Sequence, residues 1–400
     1  MIAFAETNNT IRERRKFMKA IQRYLAMGIA LLAAFCFLVP PSMAAQPYRI
    51  GAIMEVTGGL SFLGEPGKNT FVMIADEVNK AGRINGHPIK LIVYDTEGKP
   101  TRAVTLAQKL IKKDRVSIIL GPMSSGSALA VIPIVQKAKI PHIALGASRK
   151  IVQPPKKWVF NTVQTDTNVV TRIYQYMTKV GIKKVGIITV SNGFGDSGRE
   201  QLIAVAPKFG IQVVADEKFG PKDSDMTAQL TRIQRTDAQA LICWTVGPTE
   251  AIVTKNWKQL AMKIPLYQSH GAASKKFLQM TGKAGEGIIF PSPKLIVADQ
   301  LPDSDPQKPI LMKYKKAYES RFKHDVSKFG GNAHDAIRIA ISALKAVGPD
   351  RAKIRDYIEN LKNFVGVVGT YNYSPTNHNG LTKESVVMVK VVNGNWKLLE

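Results

Sequence analysis

The chain has 400 residues, 45% hydrophobic and 22% charged, an ordinary globular composition and a length suited to two or three domains. Its formal charge is +26 at pH 7, which raises the question of nucleic-acid binding. Yet Lys156-Lys157, Lys183-Lys184, Lys275-Lys276 and Lys315-Lys316 are scattered along the chain, with no aromatic-interleaved basic stripe, basic helix or zinc-finger spacing. The charge therefore reads as a solvated surface, and no nucleic-acid partner is expected.

The first segment reads as an export signal. Arg12, Arg14, Arg15, Lys16, Lys19 and Arg23 form a basic region, and Leu25 to Val39 is apolar but short for a membrane span. Pro40-Pro41 breaks it, and Ser42-Met43-Ala44 fits a small-x-small cleavage site, so residues 1–44 are expected to be removed. Arg14-Arg15-Lys16-Phe17-Met18-Lys19 also resembles a twin-arginine signal, and an uncleaved anchor is the alternative. Cys36 follows Phe35 rather than a small residue, which argues against a lipoprotein box. Beyond the signal the only cysteine is Cys243, inside the apolar run Ala240 to Trp244, where it reads as a buried strand residue.

From Tyr48 the pattern alternates. Strands are expected at Ile50–Met54, Ile89–Tyr94, Val116–Leu120 and His142–Leu145, with helices at 67–80, 100–112 and 127–137 between them. That βαβαβαβ run implies a parallel sheet with right-handed crossovers. The rhythm restarts with helices at 169–180, 198–209, 226–236 and 248–260, and strands at 185–190, 211–215 and 240–243. The fold class is thus α/β, with two similar doubly wound lobes. Val159–Thr167 and Phe290–Pro293 are candidate crossings between them. Helices are expected at 310–322 and 333–347, and a hairpin closes the chain around Asn393-Gly394.

Within the first lobe, Ile118 to Ser148 carries the strongest functional pattern. Two strands end in small hydroxyl residues, Gly121-Pro122 with Ser124, Ser125 and Ser127, then Gly146-Ala147-Ser148. Carboxyl ends of parallel strands are where ligands bind, and a helix start there suits an anion. Neither Ser124 nor Ser125 follows a G-x pair, so a nucleophile elbow is absent, and Gly67-Lys68-Asn69 lacks the parts of a P-loop. His87, His142, His324, His334 and His378 have no zinc spacing, so no metal or other cofactor is expected. Asp95 and Glu97 read as loop charges. An enzyme would need a nucleophile with a base in reach, and none is legible.

Several pieces occur together in order: Ile50-Gly51, Thr57-Gly58 and Gly64, Asn79 to Gly86, Tyr94-Asp95-Thr96-Glu97, Gly121-Pro122 with Ser124-Ser125, Pro141 before Gly146-Ala147-Ser148, Phe194-Gly195, and Phe329-Gly330-Gly331 with His334-Asp335-Ala336. In this the chain resembles the periplasmic branched-chain amino acid (Leu/Ile/Val) binding proteins of ABC transporters, a type I periplasmic-binding-protein fold. The resemblance implies two lobes joined by three hinge strands, with 45–163 plus 294–372 as lobe 1 and 164–293 plus 373–400 as lobe 2. It implies a monomeric, non-enzymatic periplasmic receptor whose lobes close on a solute and dock on a membrane permease. It places the ligand carboxylate at Ser125, Ala147 and Ser148, with Leu63 and Phe194 as walls. Where amino-acid binders carry an acid for the ammonium, this chain has His270, and Gly247 stands near a family tyrosine, leaving room. The expected ligand is therefore an aromatic or aliphatic acid without an α-ammonium, with His270 donating a hydrogen bond or carrying charge. A hydrophobic amino acid is the alternative, and a secreted α/β enzyme a more remote one.

Overall fold

The computed structural model describes residues 2–37 and 45–400. An N-terminal unit ends at Gln46 and holds one helix, α1 (Ile2–Phe37); the second unit runs from Pro47 to Glu400. The expected break at Pro40-Pro41 and the cleavage site at Ser42-Met43-Ala44 lie outside the described residues. Among the described residues no helix is long and apolar enough to cross a membrane.

The second unit opens with β1 (Tyr48–Met54), α2 (Ser61–Lys80), β2 (Ile89–Asp95), α3 (Pro100–Lys112), β3 (Ile118–Leu120), α4 (Ser125–Ala138), β4 (His142–Ala144) and β5 (Val159–Asn161). These strands pair in parallel in the order β2-β1-β3-β4-β5. Strands β1 and β3 are apolar without alternation because helices cover both faces of the sheet. The chain then forms α5 (Asp166–Lys179), β6 (Lys184–Val190), α6 (Gly193–Val205), β7 (Gln212–Phe219), α7 (Thr227–Gln234), β8 (Ala240–Trp244), α8 (Pro248–Gln259), β9 (Leu266–Gln268), α9 (Lys275–Thr281) and β10 (Ile289–Ser292). Helices α10 (Lys308–Phe322), α11 (Lys328–Val347) and α12 (Arg351–Glu359) follow, then the short pair β11 (Phe364–Val365) and β12 (Thr370–Tyr371), and the hairpin β13 (Val387–Val392) and β14 (Asn395–Leu398). The second sheet is seven-stranded in the order β14-β13-β10-β9-β8-β6-β7, with β13 alone reversed and so antiparallel to both of its neighbours, β10 and β14.

The chain passes between the two sheets after β5, after β10 and before β13, so two α/β lobes share hinge connections. The expected crossing strand Val159–Thr167 is shorter than its sequence suggested. Only Val159–Asn161 is strand, and Asp166 already begins α5, its N–H donating to the Ala147 carbonyl at 3.0 Å. Segment 290–293 lies mostly inside β10, paired with β13, while Ile289 just before it pairs with β9.

Three helices begin more than a turn earlier than apolar spacing indicated: α2 at Ser61, α6 at Gly193 and α11 at Lys328. Glycines and Pro66 in those first turns imitate loops. Here they serve close packing: a Cβ on Gly195 would lie 1.7 Å from the Val190 carbonyl oxygen, and one on Gly330 would lie 2.5 Å from the Tyr314 hydroxyl. Asp335 is structural. It accepts from the Val367 and Val368 N–H groups at 2.8 Å each and from the Tyr371 hydroxyl at 2.9 Å. Asp95 is likewise a loop staple, accepting from the Val56 and Glu97 N–H groups, while Glu97 pairs with Lys99 and Arg102 at the surface.

Candidate functional site

The carboxyl end of β1 delivers Glu55, and the carboxyl end of β3 delivers the turn into α4. Glu55 is fully buried, and its two oxygens accept from the N–H groups of Met123 (3.0 Å) and Ser124 (3.1 Å). Burial raises its pKa against those hydrogen bonds, which favour the charged form. Ser124 is the N-cap of α4, its hydroxyl accepting from the Ser127 N–H. Ser125 opens the helix, and its Oγ accepts from the Ser148 N–H at 3.2 Å. Two loops from neighbouring strands are thus stitched together at the start of a helix, where unpaired N–H groups and the helix dipole favour an anion.

The second lobe faces this start with an aromatic triangle. Phe194, Trp244 and His270 lie with ring centroids 5.7–5.8 Å apart. His270 opens a short 3₁₀ turn after β9, capped by Ser269, and is 2% exposed. Its environment corrects one expectation. Burial, and secondarily the charge of Lys328, hold the imidazole well below its ordinary range, so it is a neutral ring rather than a charged one. A carboxylate also stands nearby: Glu250, in the first turn of α8, is buried, with one oxygen 3.5 Å from the Ser269 hydroxyl. Burial raises its pKa well above the carboxylate range. The second lobe thus holds a buried acid, but behind the cavity wall rather than in it.

The room expected at Gly247 is filled. Gly247 has φ +78°, and a Cβ there would fall 2.5 Å from the ring of Phe62 in α2 of the opposite lobe. The lobes meet at other places too. Backbone approaches backbone at Gly126 and Gly193, the Ser148 hydroxyl donates to the Ser197 hydroxyl at 2.8 Å, and Lys150 pairs with Glu200 at 2.5 Å. The lobes thus touch on either side of a partly open cleft cavity of about 180 Å³.

Of the residues singled out from the sequence, Leu63, Ser125, Ala147, Phe194 and His270 all line this cavity. Ser148 does not. Its N–H is spent on Ser125, and its hydroxyl bonds Ser197 and accepts from the Lys150 N–H, so it holds Ser125 rather than facing the space. Sequence reasoning missed Met123, Asn192, Lys328, Phe329 and Asn332, which also line it. Phe329 was legible as part of a motif, but Lys328 carried no signal, because a lysine's burial depends on tertiary structure. Among the described residues no group of three or more His, Cys, Asp or Glu side chains is placed to hold a metal ion.

A cavity between two doubly wound lobes, with a helix start on one side and aromatic rings on the other, is built to enclose a small molecule. The profile of the periplasmic binding protein family matches residues 47–395. The chain belongs to that family. Among its relatives, the leucine-, isoleucine-, valine-, threonine- and alanine-binding protein of Pseudomonas aeruginosa is 21% identical over 81% of this chain and 83% of its own length. The Leu/Ile/Val-binding protein BraC3 of Rhizobium johnstonii is 23% identical over 87% of this chain and 92% of its own. Among solved structures, an extracellular ligand-binding receptor from Rhodopseudomonas palustris HaA2 superposes with a TM-score of 0.82 at 28% identity, covering 88% of this chain and 99% of that one. As a periplasmic binding protein the chain is a non-enzymatic solute receptor of an ABC transport system, delivering a small ligand to a membrane permease.

Proposed function

We propose that the inter-lobe cavity takes a small hydrophobic carboxylate, its carboxylate at the start of α4 and its apolar body against Leu60, Leu63, Phe194 and Phe329. The observation carrying this reading is the pairing of a helix start opened by Ser125 with a mostly apolar wall in one cavity. Leu63, Ser125, Ala147, Phe194 and His270 are the proposed contacts, with Ser148 positioning Ser125. The lobe bounds given above are proposed with them.

Two solute classes fit. The names of the relatives favour hydrophobic amino acids of the leucine, isoleucine and valine type. The second reading, an acid without an α-ammonium, is favoured by the neutral imidazole of His270 and by the amine of Lys328 in the cavity wall. Thermal unfolding of the mature chain with L-leucine, L-isoleucine, L-valine, 4-methylpentanoate and benzoate tests the proposal. A ligand at a hundred times its Kd stabilises by about 2.7 kcal/mol, a plain rise in melting temperature. If no member of the panel raises it, the carboxylate reading is wrong.

A further inference from the structure

Lys328 is the first residue of α11, directly after the capping Ser327, and only 3% of it is exposed. An ammonium there opposes the helix dipole and loses its hydration. Among the described residues no hydrogen bond holds its Nζ, and no carboxylate lies within 4.0 Å of it in an ion pair. The nearest cation contact is with the ring of Phe329, 5.5 Å away. Lys328 nonetheless lines the cavity with Ser124, Ser125, His270 and Asn332. A buried amine with two unfavourable terms and no hydrogen bond or close ion pair in the fold is a group kept for a partner that arrives from outside.

We infer that Lys328 sets the charge preference of the cavity, its ammonium pairing with the solute's carboxylate so that an acid without an amine binds in preference to the matching zwitterion. This rests on the carboxylate reading of the cavity. The other ionisable groups that act on Lys328 are Glu250 of α8, Asp166 of α5 and His270 of the 3₁₀ turn. The imidazole is neutral, and burial pushes both acids toward their uncharged forms, Asp166 to about 8. Neither acid lies within ion-pairing distance, so the ammonium has no contact counter-charge in the fold. A bound carboxylate supplies it, whereas an ammonium on the same solute would be repelled.

The test is calorimetry on the mature chain with two matched pairs, 4-methylpentanoate with L-leucine and phenylacetate with L-phenylglycine. The parent should bind the acid of at least one pair about tenfold more tightly than its amino acid. Lys328→Met should lose about tenfold in acid affinity and erase that preference, while Lys328→Arg should keep it. Burial lowers the Lys328 pKa to about 7. Near pH 8 the amine of the empty cavity is therefore mostly uncharged, and acid binding should take up a proton, seen as a dependence of the heat on the buffer's ionisation enthalpy, in the parent but not in Lys328→Met. Removing a lone buried charge leaves no orphan behind, so the methionine variant is expected to fold; Lys328→Gln replaces it if it does not. If a pair binds and its ratio is the same in parent and variant, the inference about Lys328 is overturned while the carboxylate reading stands. If the folded parent binds neither member of either pair, both fall together.

Discussion

The two walls of the cavity differ in how their polar groups are answered. On the first lobe, Glu55 takes two backbone N–H groups, Ser124 takes a third, and Ser125 and Ser148 are bound to each other. On the second lobe, buried polar atoms stand without a partner among the described residues: Nε1 of Trp244, Oε2 of Glu250 and Nδ1 of His270. On the first-lobe side the loops around Ser125 are largely answered within the fold, although Oγ of Ser127 and Oδ1 of Asn332 are unpartnered there too; the second lobe is the more open of the two. A receptor that must close on its solute gains from such asymmetry, because a rigid first site orients the ligand and the open side adds contacts only on closure.

Substitutions on the two sides should therefore move stability in opposite directions. The largest effect is expected from Glu55→Ala, which strands the N–H groups of Met123 and Ser124 inside the first lobe. It should cost about 4 kcal/mol in denaturant unfolding, and an unchanged midpoint would break the comparison. Asp166→Asn on the hinge side should do the reverse at high pH. Burial raises the Asp166 pKa from 3.8 to about 8. Its favourable contribution is complete below the unfolded value and is lost as pH rises toward the folded one. The asparagine variant should gain steadily on the parent as pH rises from acid to about pH 8; a difference that stays flat with pH would place Asp166 in a solvated setting. The smallest effect is expected from Ser125→Ala, about 1 kcal/mol in stability and a similar loss in ligand affinity. Equal values would sharpen the view that one hydroxyl serves both the loop and the ligand. A loss of stability with no loss of affinity would remove Ser125 from the site.

The fold was legible where physics is local. The unbroken apolar runs of β1, β3 and β8 announce strands covered on both faces, and Pro100 marks the start of α3 where the helix begins. Ser125 was legible for the same reason, as a small hydroxyl residue ahead of an apolar helical pattern. Properties set by distant parts of the chain were not legible. Glu55 and Glu250 look like surface acids until the fold buries them, and the space at Gly247 is taken by Phe62 from the opposite lobe. Lys328 was hidden twice, by a helix start that glycines disguise as a loop and by burial that no lysine advertises.

The meeting of Gly126 with Gly193 has a consequence for how the receptor lets go. A Cβ on Gly193 would sit 3.3 Å from the backbone of Gly126, so at that seam the jaws touch bone to bone, with no side chain to swing aside as a wicket. A captive of the cavity then has no small door there. At that seam a path for the solute opens only as the two lobes draw apart.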